Sequence, residues 1–322
     1  MNVLVTGITG CVGSELAPRL RHDGHSVRGF SRAPARAPAR APGSAASART
    51  SPGPAEPAIP VCVGDAVSGA GLRQALRGID VAYYLIHSME PSRNERFSER
   101  ERAAAENFAR AARDAGVQRI VYLGGLAPAE ARPSAHLASR LAVEELLRAG
   151  APCSVALRAS IVIGARSRSF RFLVRLVERL PVLAVPAWRC YRTRPIDERD
   201  VIELLARAAT VDEVCGCSLD VGGPDVVSYG ELIDRIRDHM LVDRPTINFK
   251  RITMNPIASR IAALIAGEEH ALIGPLMEGL QQDLLPRDDH AATALRVTPH
   301  TLDAAIEHAL REWEATEPLA AR

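Results

Sequence analysis

The octapeptide Thr6-Gly7-Ile8-Thr9-Gly10-Cys11-Val12-Gly13 lies between the apolar run Val3-Leu4-Val5 and an amphipathic stretch beginning Glu15-Leu16-Ala17, and it constrains the fold more than any other part of the chain. A strand must turn tightly into a helix there, and the glycines let the backbone approach a pyrophosphate whose charge faces the helix N-terminus. Gly7 serves the turn, Gly10 the approach and Gly13 the helix–strand packing. The spacing is Gly-x-x-Gly-x-x-Gly rather than the commoner Gly-x-Gly-x-x-Gly. Val12, Leu16 and Leu20 follow at helical intervals, which sets the octapeptide apart from an ordinary glycine-rich turn.

Beyond this unit, apolar runs and helical stretches alternate in the manner of a parallel sheet with helices on both faces. Strands are expected at 26–30, 60–63, 81–86, 119–123 and 154–158, with a long helix over 96–115 ending at Gly116. The expected architecture is α/β, a doubly wound parallel sheet over residues 1–165, with 166–322 completing the sheet and forming a smaller region that covers the substrate cleft. Residues 33–59 interrupt the pattern with Ala-Pro-Ala-Arg repeats and Ser, Gly and Pro, so a low-complexity loop is expected there. Phe170 to Leu180 reads as a helix with an apolar side and an arginine side. Ser218 to Val221 reads as a late strand, and Ser228 caps a helix from Tyr229 with Glu231 in the capping-box position.

The 322 residues carry 40 basic and 38 acidic side chains, a net charge of +2, so no broad field draws in nucleic acid or a membrane surface. Cys11, Cys62, Cys153, Cys190, Cys215 and Cys217 are scattered without metal-ligand spacing, so no metal is expected and free thiols are. Met1 leads directly into the first strand, and a cytoplasmic protein is expected. The apolar stretch from Ile257 to Ala266 is broken by Ser259 and Arg260, too short to span a bilayer, and reads as an amphipathic helix over a core or cleft.

Several motifs in order carry a likeness: the octapeptide, Gly64-Asp65, Tyr84-Leu85-Ile86-His87-Ser88, Tyr122-Leu123-Gly124-Gly125 and Gly222-Gly223-Pro224. Over residues 1–240 the chain resembles an atypical, extended-type short-chain dehydrogenase/reductase with a Rossmann core, of NmrA-like and epimerase-like flavour. The resemblance implies that Gly7, Thr9, Gly10, Cys11, Val12 and Gly13 surround the pyrophosphate. It sets Asp65 and Ala66 beside the adenine, and Leu85, Ile86 and His87 along the nicotinamide ribose. Read from its own neighbourhood, Asp65 is alternatively a loop residue capping the segment at Leu72, though the order of elements favours the adenine contact.

The end of the second strand selects the cofactor, because an acid there grips a ribose 2′-hydroxyl and a base accepts a 2′-phosphate. Ser31 and Arg32 stand at that place, with Arg28 and Arg36 near and no Asp or Glu between Asp23 and Glu56. NADP(H) is expected in preference to NAD(H).

The resembled family assists hydride transfer with a Tyr-x-x-x-Lys pair and a Ser or Thr at the end of the fifth strand. Here His136 takes the Tyr position, Arg140 the Lys position, and Gly124 and Gly125 replace the hydroxyl. An imidazole handles protons near neutrality, and Arg140, four residues on, shares its helix face and disfavours its charged form. His136 and His87 are the candidate acid/base groups, each also readable as an ordinary polar residue. Arg140 is a candidate for the ribose or a phosphate. Arg158 either lines the cleft or pairs with an acid; Arg166, Arg168, Arg171 and Arg175 either favour an anionic substrate or face solvent. Trp188 and Tyr191 are candidates to cover an apolar ligand.

Three functions follow as expectations. The first is an NADP(H)-dependent oxidoreductase acting on a carbonyl, imine or conjugated alkene of a small metabolite, as a monomer or homodimer. The second is an NADP(H)-sensing regulator or assembly factor without turnover, and the third a nucleotide-sugar epimerase or dehydratase.

Overall fold

The computed structural model describes residues 1–33, 58–86, 97–128, 133–180, 183–185, 187–243, 246–248, 282–317 and 319. Its strands are β1 (Asn2–Thr6), β2 (Ser26–Ser31), β3 (Val61–Val63), β4 (Val81–Tyr84), β5 (Arg119–Gly125), β6 (Cys153–Ala159), β7 (Val162–Ile163), β8 (Leu183–Val185), β9 (Arg192–Thr193), β10 (Ile196–Asp197), β11 (Ser218–Val221), β12 (Val227–Ser228) and β13 (Thr246–Asn248). The helices are α1 (Cys11–His22), α2 (Leu72–Leu76), α3 (Phe97–Asp114), α4 (Ala135–Arg148), α5 (Arg168–Arg179), α6 (Glu198–Ala208), α7 (Tyr229–His239), α8 (His290–Ala294) and α9 (Leu302–Glu314).

Seven strands form one parallel sheet in the order β3-β2-β1-β4-β5-β6-β11. The central strands are buried on both faces, which is why they read as unbroken apolar runs rather than alternations. One face packs Val3, Val5, Val121 and Leu157 against Leu16 and Leu20 of α1 and Leu205 of α6. The other packs Leu4, Ala82, Tyr84, Ile120 and Tyr122 against Ala104, Phe108 and Ala112 of α3 and Leu147 of α4. The order reverses direction between β1 and β4, and the crevice at such a switch point is where ligands bind in open α/β sheets.

A further core joins α5, α7 and α9 around Phe170, Phe172, Tyr229, Ile306 and Trp313. Arg171 and Arg175, read as solvated or substrate-facing, instead lie over the Trp313 ring at 4.2 and 5.0 Å and pair with Glu317. Their charge is used to fasten α9 onto α5.

Other expectations need adjustment. β4 stops at Tyr84, short of Ile86, because the Leu85 N–H is taken by the Thr6 hydroxyl at 3.1 Å and leaves the ladder. The thiols are not all free. Cys153 on β6 and Cys215 before β11 form a disulfide with their Cα atoms 5.3 Å apart, a pairing set by neighbouring strands and invisible across 62 positions of sequence. Ser228 does cap α7, accepting from the Glu231 N–H at 3.1 Å, while the Glu231 carboxylate turns to Arg235. Among the described residues no helix is long and apolar enough to cross a membrane; the 34–57 part of the low-complexity stretch and the 257–266 segment lie outside them.

Candidate active site

β1 delivers the glycine turn to the switch point. Gly7 has φ +66°, and a Cβ there would stand 2.8 Å from the Leu85 carbonyl oxygen, so only glycine serves. A Cβ on Gly13 would overlap the Gly7 carbonyl oxygen and reach within 3.0 Å of the Ile8 Cα, so α1 lies directly on the turn. The N-cap of α1 is Gly10, with no side-chain cap and no acid in the first turn. The helix thereby leaves its first N–H groups and the positive end of its dipole without a side-chain partner, an arrangement suited to an anion such as a pyrophosphate.

Thr6, which sequence reading passed over, stitches β1 to β4. Its hydroxyl donates to the Tyr83 carbonyl at 2.9 Å and accepts from Leu85, holding Leu85 and Ile86 beside the turn. Arg166, read as substrate-facing or solvated, is exposed and reaches the first turn of α1, donating to the Ser14 hydroxyl at 2.6 Å and lying 3.6 Å from Glu15.

On the far side, Asp65 Oδ1 accepts from the Val67 N–H at 2.9 Å and caps its own turn, while α2 begins at Gly71 with no side-chain cap. Asn107 of α3 holds this loop through the Ala66 and Val67 carbonyls at 3.2 and 2.7 Å, and Ala66 is buried. Asn107 carried no local signal, because the contact needs α3 packed against the loop. Ser31 ends β2 and Arg32 follows it exposed. Arg28 adds nothing to that end of the strand, for its guanidinium donates to the Ala75 and Arg77 carbonyls at 2.8 and 3.0 Å. Arg36 lies outside the described residues, as does His87.

Gly124 and Gly125 close β5 in register with Arg158 and Ala159 of β6. A Cβ on Gly124 would meet the Tyr122 ring at 2.7 Å and one on Gly125 the Leu137 side chain at 3.0 Å, so packing, besides chemistry, keeps both positions bare. α4 follows, capped by Ser134, whose hydroxyl accepts from Leu137.

His136 lies in the first turn of α4, its ring 5.5 Å from that of Phe97. Its Nδ1 is buried and has no hydrogen-bond partner among the described residues. Burial first, then the nearby Arg140 charge, lowers the imidazole pKa to about 4, so the ring is neutral at pH 7. Arg140 is buried and directed at α3, with Nη1 3.2 Å from Glu101 Oε1; the Ser139 hydroxyl donates to Glu101 Oε2 at 2.7 Å. Tyr122 donates to the Arg140 carbonyl at 3.3 Å, and burial pushes its phenol to about 12. That phenol is thus no replacement for the tyrosine missing from α4.

Arg158 takes the bland course of the two expected. It donates to both oxygens of buried Glu144 at 2.8 and 2.7 Å and lies 3.8 Å from buried Asp220. Tyr191 is exposed, and the Trp188 side chain lies outside the described residues. No group of three or more His, Cys, Asp or Glu is placed to hold a metal among the described residues.

Comparison with known proteins agrees with this geometry. The NAD dependent epimerase/dehydratase family matches residues 3–180, and the chain belongs to that family, with the NAD(P)-binding Rossmann fold of extended short-chain dehydrogenases/reductases. A 3-beta-hydroxysteroid dehydrogenase of Mycolicibacterium neoaurum is 35% identical over 129 residues, 37% of this chain and 31% of that protein. A 3 beta-hydroxysteroid dehydrogenase/Delta 5-->4-isomerase of Mycobacterium tuberculosis is 33% identical over 128 residues, 37% of this chain and 30% of its own length. The matched part thus spans about a third of those relatives. In structure, a nucleoside-diphosphate-sugar epimerase of Staphylococcus aureus superposes with a TM-score of 0.70 at 15% identity, over 95% of this chain and 100% of that one. A UDP-glucose 4-epimerase of Thermotoga maritima gives 0.69 at 13% identity, over 97% and 98%. These likenesses concern the fold.

Proposed function

We propose that the protein is an NADP(H)-dependent oxidoreductase that moves hydride to or from a carbonyl, imine or conjugated alkene of a small molecule, with His136 handling the proton. The buried, unpartnered Nδ1 of His136, in the place where the family carries its catalytic phenol, is the observation that carries this reading. The hydroxysteroid dehydrogenase relatives support interconversion of a hydroxyl and a carbonyl. The absence of an acid at the end of β2, with Ser31 and Arg32 in its place, supports a 2′-phosphorylated dinucleotide. When bound, that dinucleotide supplies the hydride from its nicotinamide ring.

The chain's own residues supply the rest. The turn from Gly7 to Gly13, with Thr9, Cys11 and Val12, binds the pyrophosphate; Asp65 and Ala66 flank the adenine; Leu85 and Ile86 flank the ribose. Neutral His136 accepts the substrate hydroxyl proton in oxidation and becomes imidazolium; in reduction the imidazolium form, protonated from solvent, returns that proton to the carbonyl oxygen and is left neutral. Arg140 works through His136, since its charge adds to burial in keeping the imidazole neutral while Glu101 holds Arg140 in place. Gly124 and Gly125 leave backbone N–H groups where a hydroxyl is usual. Residues 166–322 cover the substrate.

NADPH oxidation assayed against a panel of carbonyls and enones tests the reading. His136→Ala is expected to lower turnover about 100-fold, the low end of general acid–base effects, with NADPH affinity unchanged. Unaltered turnover removes His136 from the mechanism. The bare Gly124 position, closed to a serine by the Tyr122 ring, favours the second reading of an NADP(H) sensor, which tight binding without turnover on any substrate would support.

A further inference from the structure

Glu198 heads α6, yet its carboxylate reaches the first residue of α1, where Cys11 Sγ donates to Glu198 Oε1 at 2.8 Å across 187 positions of sequence. The seat is built for it. β7 and β10 pair in parallel, Val162 beside Ile196 and Ile163 beside Asp197, and lead Gly164 and Glu198 out together. A Cβ on Gly164 would overlap Glu198 Oε2 and come within 2.8 Å of its Cδ, so any other residue there expels the carboxylate. Glu198 is only 8% exposed, at the base of a cleft of about 380 Å³ between α1, α6 and α9.

The charges around it do not balance it. Glu15 of α1 and Glu312 of α9 face it with the same sign, and Arg166 beyond β7 is shared with Ser14 and Glu15. Of the cleft's other basic groups, Arg199 is engaged by Asp197 and Arg19 by Asp23 and Glu203, while His308 lines the wall from α9. A thiol is a weak donor, so Cys11 fixes the carboxylate in place and compensates its charge only in part. Burial raises the Glu198 pKa, the Cys11 hydrogen bond and Arg166 oppose it and Glu312 and Glu15 add to it, while burial together with Glu198 raises that of Cys11, which stays a protonated donor.

We propose that Glu198 is a positioning residue for the dinucleotide site: through Cys11 it fixes the first turn of α1, and its charge opposes the pyrophosphate that this turn holds. The inference rests on the dinucleotide-binding reading above. Protonated, Glu198 keeps the tether and loses the repulsion; ionised, it keeps both. Affinity for the dinucleotide therefore falls as pH rises through the Glu198 titration, and the family's usual helix-dipole site acquires a pH response.

Calorimetric titration of the full chain with NADPH and, separately, NADH at about pH 5.5 and about pH 8 tests it. Glu198→Gln keeps an acceptor for Cys11 without the charge and is expected to bind both nucleotides about fivefold tighter than wild type at pH 8, with the gap between the two proteins narrower at pH 5.5 than at pH 8. Cys11→Ala keeps the charge and loses the tether, and is expected to bind more weakly at both pH values. Cooperative urea unfolding of each variant verifies folding. Equal affinities of wild type and Glu198→Gln at pH 8, or weakening of both variants alike, overturns the inference while the site stands. If wild type binds neither nucleotide, the dinucleotide reading falls, and this inference with it.

Discussion

Replacing His136 with Gln keeps a polar side chain of similar reach at the head of α4 and removes the titrating ring. In the folded protein that ring has a pKa of about 4, held down by burial and by Arg140, against about 6.5 in the unfolded chain. Between those values the unfolded state binds more protons, so the stabilisation is complete above pH 6.5 and is lost as pH falls toward 4. At about 1.36 kcal/mol per pH unit, the wild type should lose about 1 kcal/mol between pH 7 and pH 5.5, and about 2.5 kcal/mol by pH 4.5, that His136→Gln does not lose. Urea unfolding of both proteins at the three pH values gives the difference directly, with every other titrating group common to both. Parallel stability curves would refute the desolvated, neutral imidazole on which the proposed chemistry depends. The same neutrality predicts that kcat/KM lacks an inflection near pH 6.5.

Three other perturbations have expected outcomes. Arg158→Met strips Glu144 of its bidentate partner in a buried setting and should cost about 3–5 kcal/mol in chemical denaturation; adding Glu144→Leu should recover part of that loss, and strictly additive losses would argue against the pair. Gly13→Ala forces a methyl against the Gly7 carbonyl, so about 1–3 kcal/mol of stability should go, with NADPH affinity down at least about tenfold by titration. Arg32→Asp should reverse the nucleotide preference by about ten- to 100-fold in competitive binding, in line with the loss of a charge-assisted contact; an unaltered NADPH-to-NADH ratio would exclude Arg32 from 2′-phosphate recognition.

How much could be read in advance varies with the range of the contact. The glycine turn, the parallel strands and the Ser228 cap depend on neighbours a few positions apart, and the sheet repeats what their pattern predicts. The partners of the arginines were illegible for the opposite reason. In the sequence the arginines form a basic cluster, but Arg166 is drawn to α1 while Arg171 and Arg175 pack on Trp313, 142 and 138 positions away, and no periodicity announces such partners. Cys153 and Cys215 pair because β6 and β11 are adjacent, and Arg158 chose an acid over the cleft because Glu144 of α4 is folded over it.

By itself the sequence determined that a glycine turn joins a strand to a helix at a site for a pyrophosphate, since spacing, backbone freedom and helix dipole are properties of consecutive residues. It also set Gly, His and Arg at the places where the resemblance expects Ser, Tyr and Lys. Only the tertiary structure decided what the histidine and arginine experience, a ring made neutral by burial beside Arg140 and a guanidinium turned toward Glu101, and only it brought Glu198 to the first residue of α1 across 187 positions of sequence. Desolvation and charge act through space, and the chain order of the groups that exert them carries no record of the distances at which they meet.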